Sequence, residues 1–192
     1  MGRLDDIDKE VISRLQVNGR ATLKRIGEGL GLTSMGIKKR MDKLLKQGFI
    51  KISASLNLEK LGLHAALIFL EVEDGESRRN ILERFRECPR IIYIFNALSG
   101  YNMISLSIAE DQDTLESESM EKCSLRSQEG VRRSEFYPIS NVNYEPFLNV
   151  RWHLACKRNS IAPCKVDCES CERYTSHKCL GCPATKHYRG PL

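Results

Sequence analysis

No segment of this chain comes near the roughly 20 consecutive apolar residues that a membrane-spanning helix needs. The opening stretch, Met1–Glu10, carries too many charges to act as a secretory signal. A soluble cytoplasmic protein with no membrane partner is therefore expected. A Ser-His-Asp set, a carboxylate dyad and a glycine-rich phosphate loop are also missing, so no catalytic role is expected. Histidine is scarce, and between residues 63 and 150 only His64 occurs. The segment after Arg151 has few aliphatic side chains beside Trp152 and Tyr174, too few to build a core of its own.

What is present points to more than one domain. The chain has 192 residues, beyond the ~100–150 of a typical single domain, and its 41% hydrophobic content supports a packed core. The net charge of +5 is unevenly laid along it. Residues 1–62 hold 13 basic and 7 acidic side chains, residues 63–150 hold 9 and 15, and residues 151–192 hold 8 and 3. Clustered positive charge favours a polyanion by releasing condensed counterions, whereas an acidic segment is repelled. Double-stranded DNA should therefore meet the first segment.

Within that segment, Leu32–Ile50 is the most informative stretch. Ile37, Met41, Leu44 and Leu45 fall at helical spacing, and Lys38, Lys39, Lys43 and Lys46 lie off that stripe. Thr33 or Ser34 can cap the start, and Gly48 stands where a left-handed residue would stop the helix. An earlier helix is capped by Asp5 or Asp6 and buries Ile7, Val11, Ile12 and Leu15. A short one opens at Thr22 and closes at Gly31. A short helix tightly joined to a basic one is the helix-turn-helix arrangement, whose second helix enters the major groove. Thr33, Ser34, Lys38 and Lys39, at the solvent-facing start of that helix, are the candidates for groove contacts. Phe49–Leu56 alternates apolar and polar residues as a wing strand would. The competing reading is a three-helix protein-interaction module with a merely solvated lysine face.

The acidic middle reads as strand Ala65–Val72, helix Ser77–Cys88, strands Ile91–Ala97 and Met103–Ala109, a helix begun at Asp111 or Asp113 and ended at Gly130, and strand Val131–Ile139. In the third strand Ile104, Leu106 and Ile108 alternate with Ser105 and Ser107, so one face is expected to be buried and the other wet or paired. The order is that of a ferredoxin-like split βαβ. The expected class is α+β, divided into a winged helix-turn-helix at 1–62, a ferredoxin-like ligand-binding and oligomerisation domain at 63–145, a linker at 146–162 and a cysteine-rich tail at 163–192.

In the tail, Cys164, Cys168, Cys171, Cys179 and Cys182 have the spacing CxxxCxxC followed by CxxC. Paired CxxC motifs place four thiolates around one metal, and a metal supplies the folding free energy that a small core cannot. Cys168, Cys171, Cys179 and Cys182 suit tetrahedral zinc, which is favoured on the prevalence of closed four-cysteine sites. A [4Fe-4S] cluster is the alternative, since Pro183 directly follows the last cysteine. Disulfides are the bland reading, disfavoured in a reducing compartment. The CxxxCxxC piece also coincides with the cluster motif of radical enzymes, without a barrel-sized domain to accompany it. Cys88, Cys123 and Cys156 have no partner at ligand spacing and are expected to be ordinary packing residues.

The opening LDDIDKEVISRLQVNGRATLKRIGEGLGLTSMGIKKRMDKLLKQGFIK, together with SGYNMISLSIAEDQDTL and EGVRRSEFYPI, resembles the Lrp/AsnC family of feast/famine transcriptional regulators over about residues 3–145. The resemblance implies a sequence-specific DNA-binding regulator that forms homodimers and often octamers or other higher assemblies. It also implies small effectors, commonly amino acids, near the loop joining the second and third strands, here Ser99, Gly100, Tyr101 and Asn102. A plain hairpin turn with a tyrosine packed at the dimer seam is the competing reading of that loop. Arg40 and Lys43 match basic positions of the family pattern and are expected to touch phosphates. Family members commonly carry aspartate where Asn102 stands, and an amide cannot supply a full negative charge to an α-ammonium group. Sirohaem decarboxylases are similar proteins and offer an enzymatic alternative. The acidic middle segment, with His64 as its one histidine, argues against an anionic tetrapyrrole substrate.

Overall fold

The computed structural model describes residues 3–192. The chain divides into two compact units, one running to Ala54 and the other from Ser55 to Leu192.

In the first unit, helix α1 spans Asp6–Val17, α2 Leu23–Glu28 and α3 Ser34–Lys46. Each start is fixed by a side chain that satisfies an orphan amide. Asp5 accepts from the Asp8 N–H at 2.7 Å and Asp8 returns the bond, Thr22 accepts from Arg25, and Thr33 accepts from Gly36. Val11, Ile26, Ile37 and Leu44 form the core, with Leu4, Ile7, Met41 and Ile50 packed around them. The α2–α3 turn folds tightly: the Leu32 N–H donates to the Gly27 carbonyl at 2.9 Å, and Gly31 adopts φ +65°. A Cβ on Gly27 would stand 2.5 Å from the Leu32 carbonyl oxygen, so the close approach of the two helices depends on glycine there. The expected wing strand is not formed. Residues 51–55 carry no strand hydrogen bonds, and only β1, Leu56–Asn57, is extended and paired. Its partner is β6, Phe147–Leu148, within the second unit, because alternation alone supplies no neighbour for residues 51–55.

The second unit holds a four-stranded antiparallel sheet of β2 (His64–Val72), β3 (Ile91–Asn96), β4 (Met103–Ala109) and β5 (Val131–Ile139), in the order β3-β4-β2-β5. Helices α4 (Gly75–Arg84) and α5 (Gln112–Met120) cover one face, capped by Asp74 and Asp111. Ile68, Leu70, Val72 and Met103 of the sheet meet Ile81 and Phe85 there, while Ala66 and Ala109 meet Leu115. Both helices are shorter than their apolar periodicity suggests. The second breaks after Met120, and a separate 3-10 turn carries Leu125.

Both faces of β4 are at least partly covered. Ser105 and Ser107 are fully buried under the helices, whereas on the opposite face Ile108 is fully buried beside Tyr188 and Leu192, and Ile104 and Leu106 lie half-buried. Small side chains let the helix layer approach the sheet, and the Ser105 hydroxyl is satisfied by the Tyr93 carbonyl at 3.1 Å. The register sets Tyr137, Leu67, Leu106 and Tyr93 in one row across the open face. Glu135, Phe69, Ile104 and Phe95 form the next.

Residues 146–192 are neither a free linker nor a separate domain. β6 pairs with β1, the Arg151 guanidinium donates to the carbonyls of Arg86, Cys88 and Ile91, and Ala162 and Cys164 enter the core beneath β2 and α4. A single helical turn, α6 (Glu172–Thr175), lies within the tail.

Candidate functional site

The start of α3 presents Thr33, Ser34, Met35, Lys38 and Lys39 to solvent, with Ile37 and Leu44 turned inward. Among the described residues, neither Lys38 nor Lys39 makes an ion pair, so both charges remain available to a polyanion. Lys43 is half-exposed, with its Nζ 3.9 Å from Asp8. Arg40 is placed differently from expectation. Its Nη1 bonds Asp5 at 2.6 Å and Asp8 at 2.7 Å, and Asp8 is almost fully buried. These bonds hold Asp5 below the ordinary carboxylate range and raise Arg40 further above its own. A guanidinium engaged by two carboxylates fastens α3 to the capped start of α1 rather than reaching a phosphate.

The loop between β3 and β4 brings its four expected residues together, but two are already occupied. Asn102 is paired on both sides of its amide: Nδ2 donates to the Val72 carbonyl at 2.7 Å, and Oδ1 accepts from the Val72 N–H at 2.9 Å. An aspartate could accept there but could not donate, which accounts for an amide at this position. The Tyr101 hydroxyl donates to Glu135 at 2.5 Å, and the Tyr137 hydroxyl donates to the other oxygen of that carboxylate. These two bonds hold the Glu135 carboxyl below its usual range, hence charged at neutral pH. The Arg133 guanidinium stacks over the Tyr101 ring at 4.6 Å. Ser99 and Gly100 are exposed.

The tail cysteines converge on the sheet unit. Cys164, Cys168, Cys171, Cys179 and Cys182 line one cavity of about 60 Å³, together with Cys88 and Cys123, which sequence spacing had set aside as packing residues. Only the fold could reveal that pairing, because Cys88 and Cys123 lie far from the tail in sequence. Among the described residues, no three donor side chains of His, Cys, Asp and Glu converge closely enough to hold a single ion. Gly181, between the last two cysteines, has φ +83°, and its N–H donates to Cys179 Sγ at 3.4 Å. A buried Arg90 stands at the cavity edge. It bonds Glu110 at 2.7 Å and the Gly181 carbonyl at 2.7 Å, and Tyr188 donates to the same Glu110 at 2.6 Å. Burial pushes the neighbouring Glu118 carboxyl up to about 8 against the pull of Arg90. Burial also raises the Cys88 thiol to about 12 and that of Cys123 above its usual value. These are not the exposed, acidified thiols that attack electrophiles. His177 and His187 are directed elsewhere, toward Arg189 and Glu169.

Residues 4–51 match the family described as winged helix-turn-helix DNA-binding. With the capped, lysine-bearing α3, this makes the chain a DNA-binding transcriptional regulator. The HTH-type transcriptional regulator FL11 of Pyrococcus furiosus is 32% identical over 105 residues, which span 54% of this chain and 69% of that protein. AsnC of E. coli shares the fold with a TM-score of 0.66 at 13% identity, across 75% of this chain and 97% of AsnC. A transcriptional regulator from Neisseria meningitidis, solved as a complex with L-Met, gives 0.67 at 19% identity, across 77% of this chain and 96% of that one. The chain belongs to the Lrp/AsnC family of transcriptional regulators.

Proposed function

We propose that the protein acts in the cytoplasm as a homodimeric, sequence-specific regulator whose α3 reads a palindromic operator. The observation that carries this reading is the pair of unengaged lysines on the exposed start of a helix whose opposite side is locked into a core. Thr33, Ser34, Lys38 and Lys39 contact the groove, Lys43 contacts a phosphate, and Arg40 acts as a positioning residue that sets the angle of α3 against α1. The open sheet face, with two rows that are apolar or aromatic apart from Glu135, forms the dimer seam.

A small zwitterionic effector contacts the Ser99–Asn102 loop. Asn102 braces the loop through Val72, and beside it Arg133, paired with Glu71 and stacked on Tyr101, and Glu135, bonded by the Tyr101 and Tyr137 hydroxyls, carry the complementary charges that an amino acid requires once it displaces those partners. The Neisseria relative solved with L-Met supports an amino acid as the class.

A gel-shift titration with operator DNA tests both halves. Changing Lys38 and Lys39 together to alanine should weaken binding by more than tenfold at moderate salt and reduce the salt slope by about two. The oligomeric state should not change. Unaltered affinity would refute the interface. Repeating the titration with each common L-amino acid should move the midpoint for at least one of them; no movement with any would remove the effector from the reading.

A further inference from the structure

The cysteine-lined cavity is not explained by DNA recognition. We propose that it is the binding site of an iron-sulphur cluster of the four-iron class, ligated by Cys164, Cys168, Cys179 and Cys182 and seated between the tail and the sheet unit.

The first argument is size. A cavity of about 60 Å³ admits several bodies of water size, at roughly 10–15 Å³ each. A lone tetrahedral ion enclosed by four thiolates at ~2.3 Å needs no such room. The sulfurs ring a void instead of meeting at a point, which suits a body several atoms across.

The second argument is which sulfurs are prepared. Within the tail, backbone N–H groups lie toward four of them, Val166 toward Cys164, Cys182 toward Cys168, Gly181 toward Cys179 and Ala184 toward Cys182; outside it, Arg90 and Ile91 do the same for Cys88, whose thiolate the neighbouring Glu118 opposes. Hydrogen bonds to sulfur stabilise the negative charge of a ligated cluster and tune its potential. Cys171 differs, because its Sγ lies 3.9 Å from the Glu121 carboxylate, a neighbour that opposes a thiolate. The selected set therefore exchanges Cys171 of the paired CxxC motifs for Cys164.

The surroundings agree. Ile68, Phe85, Ile91 and Leu125 supply an apolar wall to the cavity. Arg90, buried beside Cys179 and Cys182, supplies a cation toward a site carrying net negative charge. Pro183 directly follows the last ligand, as cluster-binding sequences often show. Because residues of β3 and the α5 end line the same space, cluster assembly should fasten the tail to the sheet unit.

The test uses the full chain, reconstituted anaerobically with equal amounts of ferrous and ferric iron and inorganic sulfide and compared with the same chain given zinc alone. About four iron and four sulfide per chain, with a visible charge-transfer spectrum, is the expected result. The Cys171→Ser variant should retain that content, while Cys164→Ser and Cys179→Ser should lose most of it. Stoichiometric zinc without an iron chromophore, or failure to hold either metal, would overturn the proposal. So would loss of the cluster in Cys171→Ser, which points to the paired CxxC set. Cys164 is packed in the core and its variant can misfold, but the parent's iron content and the Cys171→Ser result decide the matter without it.

Discussion

Asn102 shows how a single functional group can settle a local structure. Its amide donates to one side of Val72 and accepts from the other, so the β3–β4 loop is tied to the end of β2 by a contact that only an amide completes. Asn102→Asp keeps the shape, removes the donor and sets a carboxylate against a carbonyl. It should cost about 1–3 kcal/mol, the usual price of leaving a half-buried polar group unpaired. Urea unfolding would report this as a lower midpoint at unchanged slope. The pH dependence adds a check on the cause. In the folded state the introduced carboxyl is favoured protonated, since its O–H can then donate to Val72, so its folded pKa lies above the unfolded value. The deficit should therefore shrink as pH falls through the carboxylate range and grow as pH rises. An equal midpoint for parent and variant at neutral pH would show that the paired amide contributes nothing.

Among the elements, the helix-turn-helix was legible because local chemistry marks its limits. Asp5, Thr22 and Thr33 cap in the structure as their residue types suggest, and all four sheet strands lie within a residue of their expected bounds. What escaped the sequence depends on distant partners. Alternation in β4 gave the periodicity but not which face the helices would choose, and Ser105 and Ser107 went inside because small side chains permit close packing. The residues of 51–55 alternate without a strand to pair with, Arg40 met Asp5 and Asp8 instead of solvent, and Cys88 and Cys123 joined a cavity built mostly by residues far along the chain. Gly27 tests the helix-turn-helix as a unit. Alanine there gains up to about 1 kcal/mol in helix propensity, yet its methyl would stand 2.5 Å from the Leu32 carbonyl oxygen and 3.4 Å from Ile37 Cγ1. A backbone oxygen cannot rotate away, and overpacking of this kind costs about 1–3 kcal/mol. The clash should win, so Gly27→Ala is expected to melt the first unit earlier and weaken operator binding while leaving unfolding of the second unit unchanged. A higher melting temperature for the variant would mean that the turn relaxes freely.

For the whole molecule, charge and apolar surface are separated along the chain. Residues 1–62 carry 13 basic side chains against 7 acidic, and residues 63–150 carry 9 against 15, so a polyanion attracts the first segment and repels the second. The second unit nevertheless exposes Phe95 by 53% and Tyr137 by 51% on a sheet face that no helix covers. Contiguous aromatic surface of that kind is costly in water, and a second copy of the same face hides it by two-fold symmetry. A dimer closed there would carry two copies of α3, the number that a two-fold operator with paired half-sites calls for. Phe95→Glu replaces an exposed ring at the β3 end of the seam with a carboxylate that closing the dimer would have to strip of water. The parent should sediment as a dimer or a multiple of it and the variant as a monomer, with the fold of each unit intact by circular dichroism. Operator affinity should fall by more than tenfold, because a monomer contacts one half-site and loses the effective concentration that joining two sites provides. A variant that remains dimeric would place the seam on another surface, and one that becomes monomeric without losing operator affinity would show that a single α3 suffices for recognition.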